Sequence, residues 1–178
     1  MNIRLATPDD LPAYYDHMLR HFRESGKDGD FIFHPVLDFE DWKKAEQVAT
    51  MLEAISAPIS GTTWQRIWIA EVGGEVVGDA LLRASHMAAT AHRCQFGIGI
   101  ERAARGQGVG RRLSLQAISW ARSQAELSWI DLWVFAHNKP AIALYESLGF
   151  RATDTVVDQF RVQGQKIDDT QMSLSLAR

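Results

Sequence analysis

The stretch that decides the fold of this chain is Glu101-Arg-Ala-Ala-Arg105-Gly-Gln-Gly-Val-Gly110-Arg-Arg-Leu-Ser-Leu-Gln-Ala-Ile-Ser-Trp120-Ala-Arg-Ser-Gln124. An apolar segment with strand character, residues 96–100, leads into it, and a helical pattern of apolar residues begins at about Val109. Three glycines, Gly106, Gly108 and Gly110, let backbone N–H groups approach a ligand closely. Because the first amides of a helix are unpaired and electropositive, the strand, turn and helix together predict an anion site, most naturally for a pyrophosphate.

The spacing of these glycines argues against two familiar nucleotide-binding loops. A Walker loop closes on Gly-Lys-Ser or Gly-Lys-Thr, which this turn lacks. The dinucleotide-binding pattern needs its third glycine one residue later than Gly110. A turn that serves only the close packing of strand against helix remains as an alternative to an anion site.

Composition narrows the class of protein. The chain has 178 residues, which predicts one domain spanning 1–178, and its 46% apolar and 23% charged residues do not indicate disorder. A net charge of −3 argues against a general nucleic-acid binder, and no apolar stretch reaches the length of about 20 residues that spans a bilayer. The N-terminus lacks the apolar core of a signal peptide, and a single cysteine, Cys94, fits a reducing cytoplasm, so we expect a cytoplasmic location.

The patterns along the chain predict the order β–α–α–β–β–β–α–β–α–β–β, a mixed sheet with helices on both faces. The step across residues 92–135 is expected to be a right-handed parallel crossover. The expected elements are a strand at 2–6, helices from Pro8 to about Glu24 and from Phe39 to Ile55 with Asp38 as N-cap, a hairpin turning at Gly73-Gly74, a strand at 92–100, a helix from about Val109, a strand at 129–135, a short helix ending at Gly149, and a hairpin turning at 163–165.

A second motif lies downstream, at Asn138-Lys-Pro-Ala-Ile-Ala-Leu-Tyr145-Glu-Ser-Leu-Gly149-Phe150. Together with Arg105-x-x-Gly108-x-Gly110, it resembles the GCN5-related N-acetyltransferases (GNAT). The resemblance is strongest over 66–150, and the order of elements extends it over nearly the whole chain. It implies an α/β (α+β) fold: a mixed, mostly antiparallel twisted sheet of about six to seven strands flanked by about four helices.

The resemblance also implies acetyl-CoA as co-substrate and assigns residues to it. The turn wraps the pyrophosphate with backbone amides, and the strand before it separates from its neighbour at a bulge and pairs with the pantetheine arm. Asn138 holds that arm near its reactive end. The residues expected to bind the cofactor are Ile98, Gly99, Ile100, Arg105, Gly106, Gln107, Gly108, Val109, Gly110, Arg111 and Asn138.

Tyr145 aligns with the tyrosine that commonly serves this family as general acid to the departing thiolate. A tyrosine is protonated at neutral pH, because its pKa is about 10, and can therefore protonate a thiolate. Arg111 and Arg112 oppose the helix dipole, which favours a phosphate partner for one of them. The alternatives are a packing role for Tyr145, a turn or cap role for Asn138, and solvated side chains for the two arginines.

The general base is not evident in the sequence. Family members often carry a glutamate on the strand that corresponds to 92–100, and none stands there. The candidates are Glu71, Asp79, His86, His92 and Glu101, although Glu101 follows the strand closely. A water chain could also take the proton, or the amine could arrive already deprotonated. Cys94 as an acyl-carrying nucleophile is an alternative, but free cysteine is more often a small core residue, so direct transfer in a ternary complex is favoured.

The acceptor is expected at the segment 24–42, where acidic and aromatic residues mix. Carboxylates beside aromatic rings suit a cationic amine through ion pairing and cation–π contact. A solvated loop whose aromatic residues fill the core is the alternative. The residues concerned are Glu24, Asp28, Asp30, Asp38, Glu40, Asp41, Phe31, Phe33, Phe39 and Trp42.

The resemblance and these residues together predict an N-acetyltransferase that acetylates a primary amine of a small metabolite, an antibiotic, or a peptide or protein. A catalytically inactive acyl-CoA-binding module of the same fold is the alternative, kept open by the missing strand glutamate. We expect acetyl-CoA and an amine as partners, with no metal, nucleic acid or membrane. Fold-level analogy adds a homodimer, through the C-terminal strands.

Overall fold

One seven-stranded sheet, in the order β1-β2-β3-β4-β5-β7-β6, forms the centre of the molecule. The structure is a computed structural model that describes residues 1–35, 38–39 and 42–177. The strands are β1 (Asn2–Leu5), β2 (Gln65–Val72), β3 (Glu75–Ala84), β4 (Arg93–Ile100), β5 (Trp129–Phe135), β6 (Arg151–Val162) and β7 (Gln165–Ser175). The helices are α1 (Leu11–Arg23), α2 (Lys44–Ser56), α3 (Val109–Ser123) and α4 (Lys139–Ser147).

The order of elements and the mixed, mostly antiparallel sheet are confirmed. Every neighbouring pair of strands is antiparallel except β4 and β5, which run parallel and are joined through α3. The expected parallel step across residues 92–135 is therefore confirmed. Short 3-10 turns precede α1 and follow β4, at Pro8–Asp10 and Arg102–Ala104.

The parallel pair β4–β5 separates soon after it forms. Its register covers three positions, from Arg93 opposite Trp129 to Gln95 opposite Asp131. Beyond them β4 continues to Ile100, paired only with β3. The expected separation is thus present, but the expected bulge is not: β4 pairs with β3 in unbroken register from Cys94 to Ile100. The strands therefore diverge without an inserted residue in β4.

The two faces of the sheet carry different helices. We call the side on which α1 and α2 lie the first face, and the side on which α3 and α4 lie the second face. The largest apolar core lies on the second face and includes Leu82, Phe96, Leu113, Ile130 and Met172. A smaller core on the first face packs Leu11 and Tyr14 of α1 against Ile67 and Ile69 of β2. Helices on both faces, as expected, leave the ends of β4 and β5 between two layers.

Helix α2 begins at Lys44, so the expected start at Phe39 with Asp38 as N-cap is wrong. Phe39 and Trp42 precede the helix, and their rings lie 5.7 and 6.4 Å from the ring of Phe22 on α1. Packing of these aromatic rings against α1 thus outweighs the local capping signal. Residues 40 and 41, which belonged to the expected helix, lie outside the described residues.

A buried imidazole fixes α1 to the sheet. His17 is fully buried, and its Nδ1 lies 2.7 Å from Glu101 Oε1 while its Nε2 lies 3.1 Å from Asp79 Oδ1. Burial opposes a charge on His17, but the hydrogen bonds and charges of the two carboxylates outweigh it and raise the pKa of His17. Arg20 adds an Nε–Oε1 contact of 3.0 Å to Glu101. The signal in the sequence that could have indicated this contact is a pair of histidines four residues apart on an amphipathic helix.

Gly99 makes the close approach of α1 to β4 possible. A Cβ at this position would lie 2.6 Å from Asp79 Oδ1 and 2.9 Å from His21 Cδ2. Because both atoms belong to buried side chains, any larger residue would push α1 away from the strand. Among the residues described, no helix is both long and apolar enough to cross a membrane.

Substitutions on α3 should separate core packing from surface composition. Leu113 is fully buried in the second-face core, whereas Leu115 on the same helix is 47% exposed. We expect Leu113→Ala to lower the free energy of unfolding by about 3 kcal/mol, because it leaves a cavity. Leu115→Ala should change it by less than about 0.5 kcal/mol. Urea unfolding of both variants measures the difference, and equal losses would contradict the assigned core.

The His17 contact should make stability depend on pH. Since its pKa is raised on folding, His17 contributes fully below its unfolded pKa of about 6.5, and the contribution is lost as the pH rises through the folded value. We expect His17→Gln to cost about 3 kcal/mol of unfolding free energy near pH 6 and less near pH 9. Urea titrations of wild type and variant across this range provide the measurement. A difference that does not change with pH would rule out a charged His17.

Candidate active site

The glycine turn leaves open space in front of the first turn of α3. Gly106 and Gly108 adopt φ values of 73° and 74°, and a Cβ at either would meet no atom within 4 Å. The first helical bond runs from Arg112 N–H to the carbonyl of Gly108, at 3.1 Å. The N–H groups of the first three helical residues therefore have no intrahelical partner. This geometry suits an anion bound by backbone amides.

Gly110 lets α3 pack closely against its neighbours. The alternative interpretation of the turn, close packing of strand against helix, therefore applies to this glycine. A Cβ there would lie 3.3 Å from Leu144 of α4 and 3.4 Å from Ile98 of β4. The absence of a side chain thus lets α3 lie close to both elements. Ile98 and Ile100 lie on the second face against this glycine, whereas Gly99 lies on the first face.

Polar side chains around the turn form contacts within the protein. Gln107 donates from Nε2 to the carbonyl of Ala103, at 3.0 Å. Arg111 is exposed and donates to Ser147 Oγ at 2.9 Å, which links α3 to α4. Arg112 is also exposed. Both arginines therefore lie at the surface beside the first turn of α3, where a phosphate group could reach them.

The side chain of Arg105 points away from the open side of the turn. Its guanidinium pairs with Glu24, at 2.7 Å, and with Asp30, and donates to the carbonyl of Ile100 at 2.9 Å. It also lies over the ring of Phe33, 5.2 Å from the centroid. Contact between this side chain and a ligand would require breaking these bonds. Arg105 thus holds the turn against α1 and the loop that follows it.

Arg102 completes this contact between the turn and the acidic loop. Its backbone N–H donates to both carboxylate oxygens of Glu24, at 3.0 and 2.9 Å. Its guanidinium lies 3.1 Å from Asp28 and 3.3 Å from Asp30. Arg102 and Arg105 thus pair with all three acids but leave one negative charge uncompensated, so a cationic acceptor at this loop stays a prediction. Glu40 and Asp41, expected to act with them, lie outside the described residues.

Asn138 caps α4, which is the alternative role that the sequence analysis gave for this residue. Its Oδ1 accepts a hydrogen bond from the Ala141 N–H at 3.2 Å. The cap uses only the carbonyl oxygen of the side chain. In the part of the chain that the structure describes, the side-chain NH₂ group of Asn138 has no acceptor, so it can still donate to a ligand.

Tyr145 is buried where α4 meets the second-face core. Its ring lies edge-on to Phe96 of β4, with centroids 6.2 Å apart, and 5.9 Å from Phe150. Burial raises the pKa of Tyr145, so the hydroxyl is protonated at neutral pH. Among the described residues, none forms a hydrogen bond with this hydroxyl, although a buried tyrosine O–H usually has a partner. Packing accounts for the ring but not for the hydroxyl.

The candidates for a general base lie in three different environments. Glu71 pairs with Arg4 at 2.9 Å, and His86 and His92 are exposed. Asp79 and Glu101 both contact His17. None of these five side chains is both buried and unpaired, so none stands out as a base.

Two further groups bear on the chemistry. Burial raises the pKa of Cys94 to about 12, and its Sγ lies 3.6 Å from the carbonyl of Trp129, which argues against a thiolate nucleophile. Within the described residues, no group of three or more His, Cys, Asp or Glu side chains could hold a metal ion.

Curated relatives match the chain over part of their length. Mycothiol acetyltransferase from Thermobifida fusca is 28% identical over 130 residues, which cover 71% of this chain and 35% of that protein. The corresponding protein from Renibacterium salmoninarum is 33% identical over 96 residues, 54% of this chain and 24% of its own. The chain therefore spans between a quarter and about a third of the relatives just named.

A family model and solved structures match over more of the chain. A GNAT-family acetyltransferase from Streptococcus pneumoniae has a TM-score of 0.84 and 22% identity, with 99% of each chain covered. At this level of identity the likeness shows the fold. The model described as the acetyltransferase (GNAT) family matches residues 14–150. Since that match covers well over half of the chain, the protein belongs to the GNAT acetyltransferase family.

Proposed function

We propose that this protein is an acetyl-CoA-dependent N-acetyltransferase that acetylates a primary amine by direct attack in a ternary complex. The observation that carries the proposal is the divergence of β4 from β5 directly before the open glycine turn. Acetyl-CoA is the co-substrate of the GNAT family to which the chain belongs. A strand with one unpaired edge, followed by free helix amides, suits a ligand with amide groups in its arm and phosphates at its end.

The backbone supplies most of the proposed donor site. The N–H groups from Gly106 to Gly110, and that of Arg111, face the pyrophosphate, whereas the N–H of Arg105 donates to the carbonyl of Arg102 at 3.2 Å. The exposed guanidinium of Arg111 adds a cation beside them. The backbone of residues 98–100 pairs with the pantetheine arm along the edge of β4 that β5 leaves free. The free NH₂ group of Asn138 donates to the same arm.

The chemistry requires three contributions around the thioester. The amine nitrogen forms a bond to the carbonyl carbon, the carbon–sulfur bond breaks, and Tyr145 donates its proton to the departing sulfur. Backbone N–H groups of the unpaired part of β4 polarise the carbonyl as an oxyanion site does. The unpartnered hydroxyl of Tyr145 supports its role as general acid. The amine loses its own proton to water or to a nearby carboxylate.

A catalytically inactive acyl-CoA-binding module remains the second candidate, because β4 carries no glutamate. Asn138 and Tyr145, with their unpartnered donor groups, argue against it. Thiol release from acetyl-, propionyl- and succinyl-CoA, measured with dithionitrobenzoate across a pooled library of primary amines, separates the two. Amine-dependent release supports the enzyme, and tight CoA binding without release supports the module. Absence of CoA binding would contradict both.

Substitution of Gly108 should remove CoA binding without unfolding the protein. An aspartate there places a negative charge in front of the α3 amides, and we expect the Kd for CoA to rise by about two orders of magnitude. Gly164, in the β6–β7 turn, is the matched control, because its φ is 75° and a Cβ would also meet nothing within 4 Å. Both variants carry a backbone strain of about 1–2 kcal/mol. Calorimetry with CoA distinguishes them, and equal affinities would remove the turn from the proposal.

Replacement of Tyr145 by phenylalanine should affect turnover rather than cofactor binding. The hydroxyl acts as the thiolate leaves, so we expect kcat to fall about a hundredfold while the Kd for CoA changes less than about twofold. Tyr14→Phe is the control, since Tyr14 is buried in the first-face core. Steady-state kinetics by thiol release measure both. A wild-type kcat in Tyr145→Phe would assign Tyr145 to packing alone.

A further inference from the structure

The first face of β5 carries a large aromatic side chain that no helix covers. Trp133 is 45% exposed although β5 lies inside the sheet between β4 and β7. Its neighbours in sequence, Leu132 and Val134, lie on the second face and are buried in the core. The helices of the first face pack against β2, β3 and β4, which leaves the ring of Trp133 open to a ligand.

A buried carboxylate lies beside this tryptophan on the next strand. Asp169 of β7 is only 6% exposed, and its Oδ1 is buried without a hydrogen-bond partner among the residues that the structure describes. Asp169 pairs with Phe135, and Trp133 pairs with Gln171, so Trp133 and Asp169 are diagonal neighbours on the first face. Diagonal positions of this kind lie within reach of long and aromatic side chains.

The surroundings of Asp169 would strengthen an electrostatic contact. Ile32, Phe135 and Ile167 form an apolar cluster next to it on the first face. Burial raises the pKa of Asp169, because it disfavours the charged form of the carboxyl group. A cationic ligand beside Asp169 would supply the partner that the described residues do not give its carboxylate.

Other charged residues of this face are already paired or lie apart from Asp169. Asp131 accepts from Arg93 Nε at 2.6 Å and from Ser173 Oγ at 2.6 Å. Arg83 donates to Gln95 at 2.9 Å. Asp154 of β6 lies opposite Gln171, two strands away from Trp133, and its Oδ1 accepts from the Thr155 N–H at 2.8 Å. Among the described residues, the buried carboxylate oxygen of this face without a partner is thus Asp169 Oδ1, while the arginines lie towards the start of β4.

The position of Trp133 relates this surface to the proposed donor site. The parallel register of β4 and β5 ends at Asp131, and Trp133 is the next residue of β5 on the first face. On β4, Gly97 is the corresponding first-face residue, and it carries no side chain. A molecule lying over Trp133 would therefore be next to the opening between the two strands.

We propose that Trp133 and Asp169 form the binding subsite for a cationic amine acceptor, with the tryptophan ring contacting the cation and the carboxylate pairing with it. This inference rests on the proposed function. It places the acceptor on the strands β5 and β7 instead of on the acidic residues Glu24, Asp28 and Asp30, whose carboxylates already pair with Arg102 and Arg105.

The experiment compares an amine with its uncharged counterpart. The probe is the primary amine that supports the fastest thiol release in the library, and its control is the alcohol in which a hydroxyl replaces the amino group. Calorimetry on the CoA-bound protein measures the Kd of each, alongside the KM of the amine. The variants are Asp169→Asn, Trp133→Ala and Trp133→Phe, with Asp9→Asn and Leu115→Ala as exposed controls on other elements.

We expect Asp169→Asn to weaken binding of the amine about tenfold and to change binding of the alcohol by less than about twofold. Trp133→Ala should raise the KM for the amine about fivefold, and Trp133→Phe should restore most of the loss. The KM for acetyl-CoA and the control variants should stay at wild-type values. A merely structural role for Asp169 would instead weaken both probes equally.

Each remaining outcome decides one proposal. Wild-type turnover with unchanged amine binding in Asp169→Asn and Trp133→Ala overturns the subsite and leaves the proposed function standing. Equal losses for amine and alcohol also overturn it. A wild-type protein that binds CoA but releases thiol with no amine contradicts the proposed function, and the subsite with it.

Discussion

The divergence of β4 from β5 is the constraint on which the rest of the structure depends. An interior strand normally satisfies its backbone groups on both edges, yet β4 loses its parallel partner after Gln95 and continues for five residues. Those residues keep their shape because β3 holds one edge in unbroken register and Gly99 lets α1 lie directly against the first face. The pairing with β3 and the packing of α1 thus keep the free edge of β4 in an extended conformation, although this edge has no strand partner.

The same logic extends to the glycine turn. Open glycines alone would leave residues 105–108 without a defined position, because they have few side chains to pack. Arg102 and Arg105 supply that position through Glu24 and Asp30, which lie 72 to 81 positions away in sequence. The acids of the loop after α1 therefore shape the donor side of the proposed site. These carboxylates already pair with the arginines, and for this reason we propose a different carboxylate, Asp169, for a cationic acceptor.

The elements that frame the proposed donor site could be predicted from sequence because local rules govern them. Glycine spacing, strand and helix periods, and the Asn138 cap each act over a few residues, and the strands and α3 and α4 lie where these rules place them. The predicted start of α2 was wrong because Phe39 and Trp42 pack on Phe22, and local sequence rules take no account of a contact with another helix. The pairing of the acidic loop with Arg102 and Arg105 was not predicted, for the same reason.

The proposed acceptor site differs because it depends on the register between distant strands. In sequence, Trp133 is one apolar residue in the run from Trp129 to Phe135, and nothing local marks it as exposed. Only the pairing of β5 with β7 places Asp169 diagonally beside it, and only the limited reach of the first-face helices leaves its ring open. A site formed by backbone groups can be recognised from consecutive residues. A site formed by side chains on neighbouring strands can be recognised only once the pairing of those strands is known.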